Sequence, residues 1–176
     1  NRAAVFAERR EWSLALADLD AVIKMAPFDA IAHYNRGYVY LSTDKYPQAI
    51  DDFTVAITVD PEMGVAYNNR CLARTFEGKD LPGALADCNA ALKLNPTNLD
   101  VQITRGFVYL KRGDPATAIK EFSAALDVDP NRALALYGRG KVRVRMGQSA
   151  AGATDIAAAV AIDPGVVAQY ARHGIN

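Results

Sequence analysis

The side chains in this sequence that could do chemistry are few: two cysteines, two histidines, and charges that recur at fixed places. Cys71 and Cys88 are too few for a disulfide framework or a four-cysteine zinc site. His33 and His173 lie far apart, so a histidine-based metal site is not expected. No nucleophile elbow, phosphate loop or paired-histidine metal motif is present. The expectation is therefore no catalytic residue, no metal, no cofactor and no enzymatic activity. The charges are more regular. Arg2, Arg36, Arg70, Arg105 and Arg139 recur at one spacing, and Asp18, Asp52, Asp87, Glu121 and Asp155 recur at the same spacing. An active site does not recur every 34 residues. A structural ladder of Arg–carboxylate pairs does, and such pairs fix register more surely than they add net stability. From Arg132 to Arg145 five cations stand without an acid: Arg132, Arg139, Lys141, Arg143 and Arg145.

The elements that must position these residues are set by proline. Pro27, Pro61, Pro96, Pro130 and Pro164 are 34, 35, 34 and 34 residues apart. Four of them follow Asp or Asn, at Asp60, Asn95, Asp129 and Asp163. A helix usually stops before such a pair, because proline disfavours the α region for its predecessor. Small residues sit at matching places: Ala3, Gly37, Cys71, Gly106 and Gly140, then Ala15, Ala49, Ala84, Ala118 and Gly152. Larger partners recur at Leu19, Phe53, Cys88, Phe122 and Ile156. Turn signals fall between the halves, as in Asp114-Pro115, an N-cap followed by proline in the first turn. Each unit is helix–turn–helix. The units run 1–29 (partial), 30–63, 64–98, 99–132 and 133–166, with a C-terminal capping helix at 167–176, in one array over 1–176.

This pattern resembles the tetratricopeptide repeat family over essentially the whole chain. Residues 30–63 place Gly37, Tyr40, Ala49, Phe53, Ala56 and Pro61 where that family's motif expects them. The third unit departs by one inserted residue, most economically in its turn at 78–83. The fifth departs with Arg143 for a core Tyr and Gly152 for Ala, which suggests looser packing there, with Arg143 snorkelling. The resemblance implies an all-α fold, a right-handed superhelical α-solenoid whose first helices line a concave groove. Cys71 and Cys88 then face each other across one helix pair. Helices separated by about 8–10 Å usually miss the Cα separation of about 7 Å that a disulfide needs, although small residues bring helices closer. The reading is two buried reduced thiols. His33 occupies a place where the family often has Trp and is expected to be a packed side chain, and His173 has no acid close in sequence.

Carried onto this chain, the family's groove places give a candidate ligand-binding surface of Tyr34, Tyr38, Asn68, Leu72, Phe76, Ile103, Phe107, Lys111, Tyr137, Lys141 and Arg145. It reads as apolar and aromatic in the middle and basic at its C-terminal end. Lys111, Lys141 and Arg145 would receive a carboxylate or an acidic stretch. The family's grip on a chaperone's C-terminal carboxylate does not carry over. Asn35 and Asn69 match its asparagine, but the expected cations around Asn69 are Tyr34, Asp100 and Thr104.

The expectation is a non-enzymatic protein–protein interaction module, a scaffold or adaptor binding a partner protein or peptide in its groove. Equal numbers of basic and acidic side chains, 20 each, argue against non-specific nucleic-acid binding. No apolar run is long enough to span a membrane. Residues 1–10 lack the apolar core of a secretion signal. Residues 1–88 carry 9 basic and 13 acidic side chains, and residues 89–176 carry 11 and 7. That asymmetry supports an alternative, a homo-oligomeric scaffold assembled head to tail. A further alternative is the repeat arm of a larger multidomain protein.

Overall fold

The computed structural model of the chain describes Arg2, Phe6 and residues 9–172. Among the described residues ten helices follow one another: α1 Trp12–Met25, α2 Ala30–Ser42, α3 Tyr46–Val59, α4 Gly64–Glu77, α5 Leu81–Leu94, α6 Leu99–Lys111, α7 Pro115–Val128, α8 Ala133–Arg145, α9 Ser149–Ile162 and α10 Val166–Arg172. Local signals set their ends. Asp29, Asp80, Asn98 and Asp114 accept from backbone N–H groups of the first turn they precede. Asp60, Asn95, Asp129 and Asp163, each before a proline, leave the helix as extended backbone. Between paired helices one residue turns left-handed: Asp44, Gly78, Gly113 or Gly147. Each lies seven places after a small residue of the first helix, and glycine holds three of the four because it adopts that conformation without steric cost. The third unit's extra residue falls after Gly78, within the turn.

Neighbouring helices stack into a solenoid in which α1 to α9 each pack mainly on a helix adjacent in sequence, most closely on the other helix of the same unit. The small places let the paired helices close. A Cβ at Gly37 would lie 2.8 Å from Cε1 of Phe53, so the ring fills the space glycine leaves. The fifth unit is the tightest, contrary to the looser packing expected. A Cβ at Gly140 would lie 2.8 Å from the carbonyl oxygen of Gly152, and one at Gly152 would lie 2.7 Å from that of Gly140. Glycine replaces Ala there because α8 and α9 meet backbone to backbone. Arg143 does not snorkel: its Nη1 donates to Asp155 Oδ2 at 2.7 Å.

The cysteines correct a second expectation. Cys71 on α4 and Cys88 on α5 form a disulfide, with their Cα atoms 5.6 Å apart. The small-residue contact draws the two helices inside the usual separation and brings the thiols within bonding reach.

All five rungs of the charge ladder are present, and the four from Arg36 onward each tie the two helices of one unit. Arg36 grips Asp52 with two bonds of 2.8 Å, Arg70 grips Asp87 at 3.0 and 2.7 Å, and Arg139 grips Asp155 with two of 2.9 Å. Arg2 pairs with Asp18. Arg105 reaches Glu121 with one bond of 2.9 Å, and its Nε is buried without a partner. The same guanidiniums also reach back one unit. Arg36 donates to Asp20 at 2.7 Å, Arg70 to Thr54 at 3.0 Å, Arg105 to Asn89 at 2.9 Å and Arg139 to Ser123 at 3.3 Å. His33 is buried beside this ladder, its Nδ1 2.8 Å from Asp52 and its Nε2 3.0 Å from the Pro27 carbonyl. His173 lies outside the described residues.

The last helix breaks the progression. The axes of α9 and α10 turn by 111°, and α10 lies against α8 more than against α9. No single described helix is long and apolar enough to cross a membrane.

Candidate functional site: the concave groove

The groove is built by the first helices of successive units, α2, α4, α6 and α8, because the fixed repeat presents the same helix face at each step. Its central cavity has a volume of about 590 Å³. Six of the eleven residues expected in the groove line it: Tyr38, Asn68, Leu72, Phe76, Ile103 and Phe107. Tyr38 is 46% exposed, whereas Ile103 and Phe107 are buried in the floor. Leu41, Ser42, Asn69 and Thr104 complete the inner wall. Asn68 is the polar feature that stands out, because its Oδ1 is buried without a hydrogen-bond partner. Among the described residues no three His, Cys, Asp or Glu side chains converge as a metal site would require.

The other five expected residues lie outside the cavity lining. Tyr34 packs its ring 5.9 Å from that of Phe53, and its hydroxyl accepts from Asn69 at 3.2 Å. Burial raises the pKa of that hydroxyl above the ordinary tyrosine value. Lys111 donates to the Phe76 carbonyl at 3.4 Å, and burial lowers its ammonium pKa. Tyr137 is buried under Tyr170 of α10, with ring centroids 5.0 Å apart. Lys141 is half-buried and Arg145 exposed on the same helix. Burial raises the Tyr170 hydroxyl pKa, and the nearby charge of Arg145 opposes the shift.

The cavity wall also holds residues beyond those eleven. Asp100 and Arg132 form an ion pair at the cavity wall. Gln169 and Arg172 of α10 close another side. Arg172 donates to Asp44 at 3.0 Å across 128 residues of sequence, and Tyr46 donates to the same carboxylate at 2.8 Å. Those two hydrogen bonds, Tyr46 first, hold Asp44 below the usual carboxylate range. Burial, then the bond to Asp44, pushes the Tyr46 hydroxyl up to about 12. Tyr170 sits in phase with the repeat, so spacing alone reads it as the start of another unit. Nothing local marks Arg172 as the partner of an acid in the second unit.

The family model described as "Tetratricopeptide repeat" matches residues 1–63 and 104–167. Human tetratricopeptide repeat protein 6 (Homo sapiens) is 30% identical over 91 residues, which is 52% of this chain and 17% of that protein. The chain spans about a fifth of the length of the first curated relatives it matches. The crystal structure of MamA superposes with a TM-score of 0.78 at 18% identity, covering 97% of this chain and 98% of that one. The first repeat domain of Spaghetti (RPAP3), bound to the HSP90 peptide SRMEEVD, superposes with a TM-score of 0.62 at 28% identity, over 67% of this chain and 93% of that one.

Proposed function

Since this chain belongs to the tetratricopeptide repeat family, we propose that it is a non-enzymatic protein–protein interaction module that receives a partner's peptide segment in its concave groove. The observation that carries this reading is the cavity, where aromatic and aliphatic side chains alternate with polar ones and the Asn68 carboxamide oxygen is buried without a donor. A buried acceptor left unpaired costs about 1–3 kcal/mol, and a partner's backbone N–H would recover it once the carboxamide turns to face the cavity. Tyr38, Leu72, Phe76 and Ile103 would supply the apolar contact. The peptide seen in the Spaghetti (RPAP3) structure supports this use of the fold. An acidic partner stretch finds less support, because Lys111, Lys141 and Arg145 lie outside the cavity lining.

The test is affinity capture by the parent chain and by a Tyr38→Ala/Asn68→Ala variant with the same melting curve. The expected result is a protein captured by the parent and lost in the variant. Equal capture by both would overturn the groove reading.

Head-to-tail assembly is the second reading. It is favoured by the outer face of α9, where Ala150, Ala153, Ala157, Val160 and Ala161 are all exposed, on a helix whose only charge is Asp155. Recovery of copies of this chain alone would favour it over peptide binding.

A further inference from the structure

Helix α10 does not extend the array; it occupies the groove. Its Tyr170 ring enters a niche of two aromatic rings, 5.0 Å from Tyr137 and 5.8 Å from Phe107, edge-on to both. Two residues on, Arg172 crosses to Asp44 in the second unit at 3.0 Å. This occupant is weakly held. Among the described residues it has seven helical residues. Only Val166 and Tyr170 are buried, and both members of its ion pair are more than half exposed. The Tyr170 hydroxyl is buried with no partner, so its desolvation is uncompensated. Segments with few buried contacts open most readily.

We infer that the surface beneath α10 is a segment-binding site held by the chain's own α10, and that a displacing partner presents the same chemistry, an aromatic side chain for the Tyr137–Phe107 niche and, two residues on, a cation for Asp44. This deepens the groove reading and rests on it. A partner with an acid at that second place would face the Asp44 carboxylate and be rejected. Phenylalanine suits the niche at least as well as tyrosine, because the hydroxyl finds no partner there.

The experiment uses the full chain and a fluorescein-labelled peptide of residues 164–172, followed by anisotropy. A chain carrying Tyr170→Ser and Arg172→Ser, with its helicity and melting checked, should bind the peptide at least ten-fold more tightly than the wild type. Adding Asp44→Ala to that chain should weaken binding again. A peptide with Ser for its Tyr should not bind, and one with Phe should bind at least as tightly. Equal affinity for the wild-type and opened chains, or no binding to either at millimolar concentration, would overturn the inference. Hydrogen exchange on the wild-type chain gives a second reading that needs no variant. Amides of α10 should exchange at least a hundred-fold faster than those of α8, and equal protection would overturn displaceability. Peptide failure here, with capture still lost in the Tyr38→Ala/Asn68→Ala variant, removes this inference alone. Capture retained in that variant removes the groove reading itself.

Discussion

The ladder residues are equivalent by position but not by burial. Asp87 is almost wholly buried between Arg70 and Arg74, whereas the Arg2 side chain is 75% exposed. Removing one member of a buried pair strands the other charges and costs about 3–5 kcal/mol. Asp87→Ala should therefore lower the urea midpoint by a corresponding amount, and Arg2→Ala should leave it unchanged. Equal effects would mean that burial does not grade the ladder. At this scale most of the ladder was legible, because Arg and acid recur in phase with proline. The backward bonds were legible in principle too: Asp20, Thr54, Asn89 and Ser123 all stand seven places before a proline. Their signal is weaker because they share only the ability to accept a hydrogen bond, not a residue type. Arg143 was misread because its partner Asp155 already serves Arg139.

For the helices, the contact that decides is backbone to backbone. Gly152→Ala would place a Cβ 2.7 Å from the Gly140 carbonyl oxygen and 2.6 Å from Val144 Cγ2. Neither neighbour is a flexible end that moves aside, so α8 and α9 must separate. We expect a loss of about 1–3 kcal/mol, read as a lower melting temperature, while an unchanged melt would mean the helix pair is not closely set. The disulfide between α4 and α5 closes a loop with a sequence separation of 17, worth about 3 kcal/mol in the chain-entropy account. Reduction should lower the melting temperature, and Cys71→Ala should reproduce that effect within error. The existence of the helices followed from the period, the caps and the Asp-Pro and Asn-Pro stops. The bond between the cysteines did not, because it depends on how closely two helices approach, and residue types bound that distance without setting it.

For the whole molecule, the path of α10 is the feature no period announces. Its Tyr170 keeps the repeat's phase while its axis leaves the repeat's direction. Six residues at the family's groove places line the central cavity. Tyr137 was placed on the right helix but under α10, a contact that arises only after the array has formed. The Asp44 clamp predicts a pH dependence. Asp44 is held low by Tyr46 and Arg172, so its contribution is complete above the ordinary carboxylate pKa and is lost as pH falls through the lowered value. Proteolysis at α10 should therefore be slow at neutral pH and accelerate in acid, and Asp44→Asn should be fast at both. A rate independent of pH would exclude the clamp. The backward bonds of the ladder carry one more consequence. They grade from an ionic bond of 2.7 Å at Asp20 to a neutral one of 3.3 Å at Ser123. The first joint is thus tied by an ionic bond and the joint between the fourth and fifth units by a longer neutral one, while Arg172–Asp44 links α10 back to the second unit. A partner that displaces α10 therefore also breaks a contact that joins the second unit to the far end of the groove.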